Sequence, residues 1–193
     1  MMLKVLDAAE CSGAVAEADP WIPLTVSWQT NSYGWVLYMC VADSERNRVE
    51  LSVDSDSGAL FRMVVLDLPP EIARPVDEAP TVPGSWSPVF DVNMWEWKVT
   101  PDYREPSQFH IDATSPLYHS AQDGLLAVWF SDSPVSRYLA CGEVRVGVSS
   151  IDELVSVVVR RPPVTMPELL PGVSLFHPGV DPLDYNGSRV SDV

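Results

Sequence analysis

Trp95, Glu96 and Trp97 form the segment of this sequence whose side chains could do chemistry most directly. Aromatic rings stack on sugars, and a carboxyl group between them can have a raised pKa, so a glycosidase-like acid is one hypothesis. In a strand, however, two tryptophans at positions i and i+2 share one face, and such a pair usually packs into a core or an interface. Glu96 then points to solvent, and this structural interpretation is the favoured one.

The same segment and the acidic residues that follow it could instead bind a protein. An exposed aromatic ring beside carboxylates contacts arginine and lysine through cation–π and charge-assisted interactions together. We therefore predict a partner-binding surface here, formed by Trp95, Glu96, Trp97, Asp102, Tyr103 and Glu105. Most of the seven tryptophans should be buried, and Trp21 and Trp86 are the candidates for exposure.

The charge balance favours a cationic partner. The chain of 193 residues has 27 Asp and Glu against 12 Lys and Arg, which gives a formal net charge of −15. An anionic surface repels phosphate backbones and anionic membranes, so we expect neither nucleic acid nor membrane as a ligand. The same surface attracts basic proteins, although acidity also serves solubility alone.

Asp54-Ser-Asp-Ser-Gly58 is an acidic stretch that could be compared with a calcium loop. An EF-hand loop needs glycine at its sixth position and a bidentate glutamate at its twelfth. Here Gly58 is the fifth residue and Val65 the twelfth, so the stretch is predicted to be a tight turn. Asp54 and Asp56 then lie on an acidic loop, and we add both to the predicted partner-binding surface.

Other catalytic arrangements lack their sequence patterns. His110, His119 and His177 have neither helical i, i+4 spacing nor cysteines close by, so no zinc site is expected. The chain has no G-x-S-x-G elbow for a serine nucleophile and no glycine-rich loop for phosphate. The sequence therefore predicts no metal, no cofactor and no catalytic residue, while a carboxylate pair assembled by the fold stays open.

Three cysteines, Cys11, Cys40 and Cys141, are an odd number at wide spacings. This pattern favours reduced, mostly buried thiols over one disulfide plus a spare thiol. The N-terminal residues reach Asp7 without the long apolar region of a signal peptide, and no apolar run is long enough to span a membrane. We therefore expect a cytoplasmic location.

The elements that must position these residues are predicted to be strands. Alternating apolar residues, the acidic turn and a second apolar run predict a β-hairpin over residues 49–68, which prolines end. A short strand followed by a turn of helix or a loop is predicted over residues 3–18. Further strands are predicted over residues 22–29, 33–41, 89–99 (with a bulge near Met94), 108–113 and 125–130.

Residues 124–163 repeat the order of this hairpin and of the strand before it, which together cover residues 34–70. Each copy has an apolar strand, a turn, an alternating strand, an acidic turn, a second apolar strand and a proline stop. We therefore predict a mainly β single domain over residues 1–193 with little helix, as two similar antiparallel β-meander halves packed as a sandwich or split sheet. The parts are halves over 20–70 and 89–162, a crossover over 69–88 and a Pro-rich tail over 163–193.

The segment Arg48-Val-Glu-Leu-Ser-Val-Asp-Ser-Asp-Ser-Gly-Ala-Leu-Phe-Arg-Met-Val-Val-Leu66, with its later echo, resembles small bacterial immunity proteins of polymorphic and contact-dependent toxin systems. The resemblance implies a cytoplasmic, non-enzymatic protein that binds a cognate toxin domain and blocks its active site or substrate surface. Strong acidity suits a basic toxin domain such as a nuclease. Two alternatives stay open: a β-sandwich ligand- or carbohydrate-binding module or hydrolase that uses Trp95, Glu96 and Trp97, and a structural subunit of a phage or secretion assembly.

Overall fold

The predicted mainly β fold is confirmed in a computed structural model of the chain. The structure describes residues 3–31, 34–45, 47–94, 96–100 and 108–163. These residues form two mostly antiparallel sheets of eight and five strands, and their one helical element is a 3-10 turn at Val92–Met94. The predicted Pro-rich tail lies outside the described residues from position 164 onward.

The larger sheet contains the predicted hairpin. Its strands are β1 (Val5–Glu17), β2 (Leu24–Thr30), β3 (Val36–Ala42), β4 (Arg48–Asp54), β5 (Leu60–Val65), β6 (Trp86–Phe90), β7 (Lys98–Thr100) and β8 (Gln108–Thr114). Their order across the sheet is β6-β1-β2-β5-β4-β3-β8-β7, and only β3 and β8 run parallel to each other. β4 and β5 pair antiparallel around the acidic turn, which confirms the hairpin predicted over residues 49–68.

The prediction of helix or loop after a short N-terminal strand is wrong, because β1 is a continuous strand of 13 residues. Its first half pairs with β6 and its second half with β2. The register with β2 shifts between Cys11 and Ala14, so the strand bends at a bulge that contains Gly13. Backbone pairing with β6 and then with β2 outweighs the weak helix preference of the alanines in this stretch.

The strand predicted over residues 89–99 is also divided. β6 ends at Phe90, and a 3-10 turn separates it from β7. Asp91 produces this break, because its Oδ1 accepts a hydrogen bond from the Asn93 N–H (3.2 Å) and its carbonyl accepts one from the Met94 N–H (3.3 Å). The turn replaces the predicted bulge near Met94.

The smaller sheet is built from the second half of the chain. Its strands are β9 (Tyr118–Gln122), β10 (Leu125–Trp129), β11 (Arg137–Cys141), β12 (Val144–Val148) and β13 (Leu154–Arg160), in the order β11-β12-β13-β10-β9. Asp123 and Gly124, with φ of 53° and 73°, form the turn between β9 and β10 that the sequence predicts. The two segments that echo each other differ in pairing order, since β4 is central in β3-β4-β5 whereas β13 lies between β12 and β10.

The main core lies between the two sheets. Leu24, Met39 and Leu51 from the larger sheet and Leu126 and Val157 from the smaller one are buried in a single cluster. Backbone hydrogen bonds extend this contact at the N-terminal end of β1, where the chain pairs with the start of β13. The sheets therefore form one packed unit over the described residues.

The Pro-rich crossover is an ordered cover for the outer face of the smaller sheet. We call residues 69–85 the strap. Its Ile72, Val76 and Ala79 pack on a second apolar cluster that includes Trp129 and Tyr138. The first residues of the strap hydrogen-bond to β9, at one edge of the sheet, and its last residues hydrogen-bond to β11, at the other edge. Both faces of the smaller sheet are thus covered, which accounts for the run of buried valines in β13.

Cys11 in β1 and Cys141 in β11 form a disulfide that links the two sheets. The prediction of reduced thiols is therefore wrong for these two residues, and Cys40 is the free cysteine. The pair is 130 residues apart in sequence, and the fold brings the Cα atoms to 6.3 Å. Cysteine spacing alone holds no information about such a tertiary contact. Within the described ranges, the chain contains no helix with the length and apolar character that a membrane crossing requires.

Candidate partner-binding surface

The structure describes four of the eight residues predicted to bind a partner. Trp95, Asp102, Tyr103 and Glu105 lie outside the described residues. Glu96 is exposed, as the alternation in sequence predicts.

Trp97 is half-buried against the main core, and its indole N–H donates a hydrogen bond to the Val92 carbonyl at 2.7 Å. This contact favours the structural interpretation of the ring. Trp97 is therefore not a free platform on which a sugar could stack.

Asp54 is buried, with 1% of its surface exposed, and it orders the acidic turn. Its Oδ1 accepts hydrogen bonds from the Ser57 N–H (2.8 Å) and the Ser57 hydroxyl (2.7 Å). Its Oδ2 accepts one from the Gly34 N–H at 2.8 Å, which fastens the loop before β3 to this turn. The turn ends at Gly58, whose φ of 72° is the positive value predicted for it. Asp54 thus supports the surface from beneath and is not itself a contact residue.

Trp35 is the exposed aromatic residue that this turn holds in place. Its side chain is 71% exposed, and its backbone N–H donates to the Ser55 hydroxyl at 2.9 Å. The Ser55 N–H donates in return to the Trp35 carbonyl at 2.9 Å. The Ser55 hydroxyl also donates to Asp56 Oδ1 at 3.2 Å, so one side chain connects the tryptophan backbone to the neighbouring carboxylate. We call Gly34, Trp35, Ser55 and Asp56 the Trp35 patch.

Asp56 supplies the charge of this patch. The residue is exposed, and no arginine or lysine of the described part of the chain forms an ion pair with it. Its predicted place on an acidic loop agrees with the structure. An exposed tryptophan and an exposed carboxylate are thus carried by a loop and a turn whose backbones are fastened to each other by hydrogen bonds.

Sequence reasoning missed Trp35, because the run over residues 33–41 predicted a central strand that is apolar on both faces. β3 begins only at Val36, so Trp35 stands in the loop that precedes the strand. Gly34 is the signal that could have located this loop. A Cβ atom at Gly34 would lie 2.9 Å from the backbone nitrogen of Asp56, so the close approach of loop and turn requires glycine there.

Trp21 is a second exposed indole, at the opposite end of β2. It is 89% exposed, as predicted, and its backbone N–H donates to Asp19 Oδ1 at 2.7 Å. Trp86, the other predicted candidate, is half-buried and donates its indole N–H to the Pro83 carbonyl at 2.7 Å. The seven residues of β2 separate Trp21 from Trp35 by roughly 20 Å, so the two indoles do not share one patch.

The outer face of the larger sheet carries the free thiol among titratable neighbours. Cys40 in β3 is paired with Glu50 in β4 and with Asp112 in β8. Burial raises the pKa of the Cys40 thiol, and the negative charges of Asp112 and Glu50 raise that pKa further, against a lowering by Arg48. This thiol therefore keeps its proton, whereas a cysteine nucleophile needs a lowered pKa.

The histidines and acidic residues form no compact ligand set in the described ranges, where no group of three or more His, Cys, Asp or Glu side chains could hold a metal ion. His119 is buried in β9, and its Nδ1–H donates to the Pro69 carbonyl at 2.6 Å. His110 lies on β8 and His177 outside the described residues.

A cleft of about 310 Å³ separates the β3–β4 turn from the strap and the start of β9. Asp43 and Glu45 form one wall, and Pro70 and Tyr118 belong to the other. Asp43 is committed to the turn, because its Oδ1 accepts hydrogen bonds from the backbone N–H groups of Glu45 (2.8 Å) and Asn47 (2.9 Å). Of the two carboxylates in the cleft, only that of Glu45 is therefore outside these turn hydrogen bonds, whereas glycoside hydrolysis uses two carboxyl groups.

Comparison of the chain with protein-family models and with curated protein sequences finds no match. The functional argument therefore rests on the side chains themselves. Among the predicted and observed residues described above, the Trp35 patch is the arrangement whose geometry is suited to binding another molecule.

Proposed function

We propose that this protein is a non-enzymatic binding protein that captures a cationic protein through the Trp35 patch. The observation that carries the proposal is the exposed Trp35 indole, held by backbone hydrogen bonds beside the Asp56 carboxylate, which has no cationic partner in the described part of the chain. The buried Asp54 holds this arrangement in place, because its carboxylate accepts hydrogen bonds from the Gly34 N–H in the loop and from the Ser57 N–H in the turn.

Preorganisation is the physical reason for choosing this patch. A tryptophan held by its backbone brings a large contact area to an interface and loses little conformational entropy on binding. Such aromatic anchors supply much of the affinity of protein interfaces. The net charge of −15 adds long-range attraction, which raises the association rate of a basic partner.

The resemblance to immunity proteins supplies the class of partner. We propose a basic toxin domain, which the protein neutralises by covering the toxin's active site or substrate surface. A cytoplasmic location accompanies this proposal as a prediction from the sequence. The Cys11–Cys141 disulfide makes the location testable, because cytoplasmic disulfides are rare. The sugar-binding and assembly-subunit hypotheses have no comparable observation in the described residues.

The test is binding of the products of neighbouring genes, co-expressed with this chain and measured by isothermal titration calorimetry after co-purification. We expect a basic partner whose affinity falls with added salt, since exposed charges are screened. The variants Trp35→Ala and Asp56→Asn should each weaken binding about tenfold or more, which corresponds to about 1.4 kcal/mol.

Trp21→Ala is the matched control, because it removes another exposed indole at the other end of β2. This variant should bind as the unmodified protein does. Wild-type affinity in both Trp35→Ala and Asp56→Asn would contradict the proposal, and so would a partner of acidic surface.

A further inference from the structure

Where the strap packs on the smaller sheet, this protein already contains a complete complex of an indole, a guanidinium and a carboxylate. The Arg74 guanidinium of the strap lies over the ring of Trp129, 3.9 Å from the ring centroid. Its Nη2 atom is 3.7 Å from Asp77 Oδ2. Arg74 also donates hydrogen bonds to the carbonyls of Ser131 (2.8 Å) and Ser133 (2.9 Å).

The polar edge of the Trp129 ring makes a separate contact. The indole N–H donates to the Ser120 hydroxyl at 2.9 Å. A second arginine, Arg145, lies 4.9 Å from the ring centroid of Tyr138 on the same side of the smaller sheet. Stacking of arginine on an aromatic ring is thus a contact that this fold uses twice within its described residues.

The Trp35 patch presents two of the same three groups. Trp35 supplies the indole and Asp56 the carboxylate, and the Ser55 hydroxyl joins the backbone N–H of Trp35 to that carboxylate. We infer that the partner supplies the third group as an arginine, whose guanidinium stacks on Trp35 and forms an ion pair with Asp56. The inference rests on the proposed function, because it specifies the partner's residue at the same site.

Arginine fits this patch better than lysine for reasons of shape and hydration. The guanidinium is planar and more weakly hydrated than an ammonium group, so it stacks on an indole at a smaller desolvation cost. Its fork of five N–H donors can reach a carboxylate while the plane remains on the ring. A lysine ammonium is a strongly hydrated point charge and gains chiefly from Asp56.

The experiment compares two peptides of equal length and charge, hexa-arginine and hexa-lysine, titrated into the full chain. Affinities come from isothermal titration calorimetry, which treats the Trp35→Ala variant in the same way as the unmodified protein. NMR shifts of the Trp35 indole N–H, assigned by its loss in the Trp35→Phe variant, locate the site in the unmodified protein. We expect the arginine peptide to bind about fivefold tighter or more. The preference should disappear in Trp35→Ala and persist in Trp21→Ala, while Asp56→Asn should weaken both peptides.

Equal affinity for the two peptides, or a preference for arginine that persists in Trp35→Ala, would overturn the arginine inference and leave the proposal of a cationic partner standing. Binding of neither peptide would overturn both the inference and the proposed function. Loss of the preference in Trp21→Ala would place arginine recognition at the β1–β2 turn and would also overturn the inference.

Discussion

Trp129 and Trp35 are two tryptophans that each have an aspartate nearby, but the ring of Trp129 is buried and that of Trp35 is exposed. Trp129 is fully buried under the strap, where Arg74 covers its ring face and Asp77 lies beside the guanidinium. Trp35 is 71% exposed in the loop before β3 of the larger sheet, where the neighbouring Asp56 forms no ion pair with a cation of the described residues. The difference arises because the strap covers the smaller sheet and leaves the loops of the larger sheet exposed to solvent. An indole that the chain covers itself contributes stability, and one that it leaves open is available for binding.

The largest expected effect separates these two roles directly. Trp129→Ala should lower the free energy of unfolding by about 3–5 kcal/mol, because it empties a closely packed site and removes the support of Arg74. Trp35→Ala should change it by less than about 0.5 kcal/mol, because the exposed ring has few neighbours to lose. Urea denaturation of both variants measures the difference. A comparable loss of stability in Trp35→Ala would show that its ring is structural and would contradict the difference in role between the two indoles.

The period-2 pattern of the sequence predicts much of the larger sheet. The hairpin of β4 and β5 and the strands β2, β3 and β8 lie where alternation and turn residues indicate them. β1 is predicted only in its first part, because alanine prefers helix, and it is pairing with β2 and with β6, a strand distant in sequence, that makes the whole stretch extended. β9 and β11 are missed although each forms a hairpin with the strand that follows it, because their sequences, Tyr-His-Ser-Ala-Gln and Arg-Tyr-Leu-Ala-Cys, show no clear alternation of apolar and polar residues.

The site was predicted in part. Asp56 could be placed on the surface from its turn, whereas the burial of Asp54 follows from hydrogen bonds to the Gly34 loop, which is 20 residues away in sequence. Trp35 has an apolar side chain next to an apolar strand, so composition suggests a core position. Its exposure depends on the loop that Gly34 and Ser55 fasten to the turn.

The disulfide is a second structural element that should affect stability and not binding, because it joins the two sheets at a distance from the Trp35 patch. Replacing both Cys11 and Cys141 by alanine should cost about 2–5 kcal/mol of stability, since the bond closes a long loop in the unfolded chain. Binding through Trp35 should be unchanged in the folded variant. Cys40→Ala is the control, because that thiol is free and should contribute little.

Mass spectrometry after alkylation under denaturing, non-reducing conditions should find one reactive thiol, that of Cys40, in protein from the native host. Three alkylated thiols would contradict the disulfide there and would agree with the sequence prediction of a cytoplasmic protein.

Arg74→Ala tests whether the cation over Trp129 is a stabilising contact. The change leaves the carbonyls of Ser131 and Ser133 without their donor and uncovers the ring, so we expect a loss of about 2–3 kcal/mol in urea denaturation. Arg74→Lys should recover part of this loss, because one ammonium group cannot reproduce the fork of donors. Arg145→Ala is the matched control over Tyr138 and should cost about 1 kcal/mol or less. Equal losses in the two alanine variants would show that the carbonyl contacts add nothing.

The smallest expected effect concerns Glu50, a carboxyl group that lies near an arginine without the geometry of the Arg74 site. Burial raises the pKa of Glu50 above its ordinary value of 4.5, and the nearby Arg62 lowers that pKa by less. A carboxyl group with a raised pKa in the folded state contributes stability that is fully present below its unfolded pKa and is lost as pH rises through the folded value.

Glu50→Gln should therefore be more stable than the unmodified protein at pH 7, by less than about 1 kcal/mol. The difference should shrink as pH falls toward 4, where glutamate is mostly neutral in both states. Urea denaturation between pH 4 and pH 7 measures this trend. A Glu50→Gln variant that is less stable at pH 7 would mean that Arg62 outweighs burial. Proximity of an arginine would then be enough to stabilise a carboxylate, without the hydrogen bonds and covered ring that distinguish the Arg74 site.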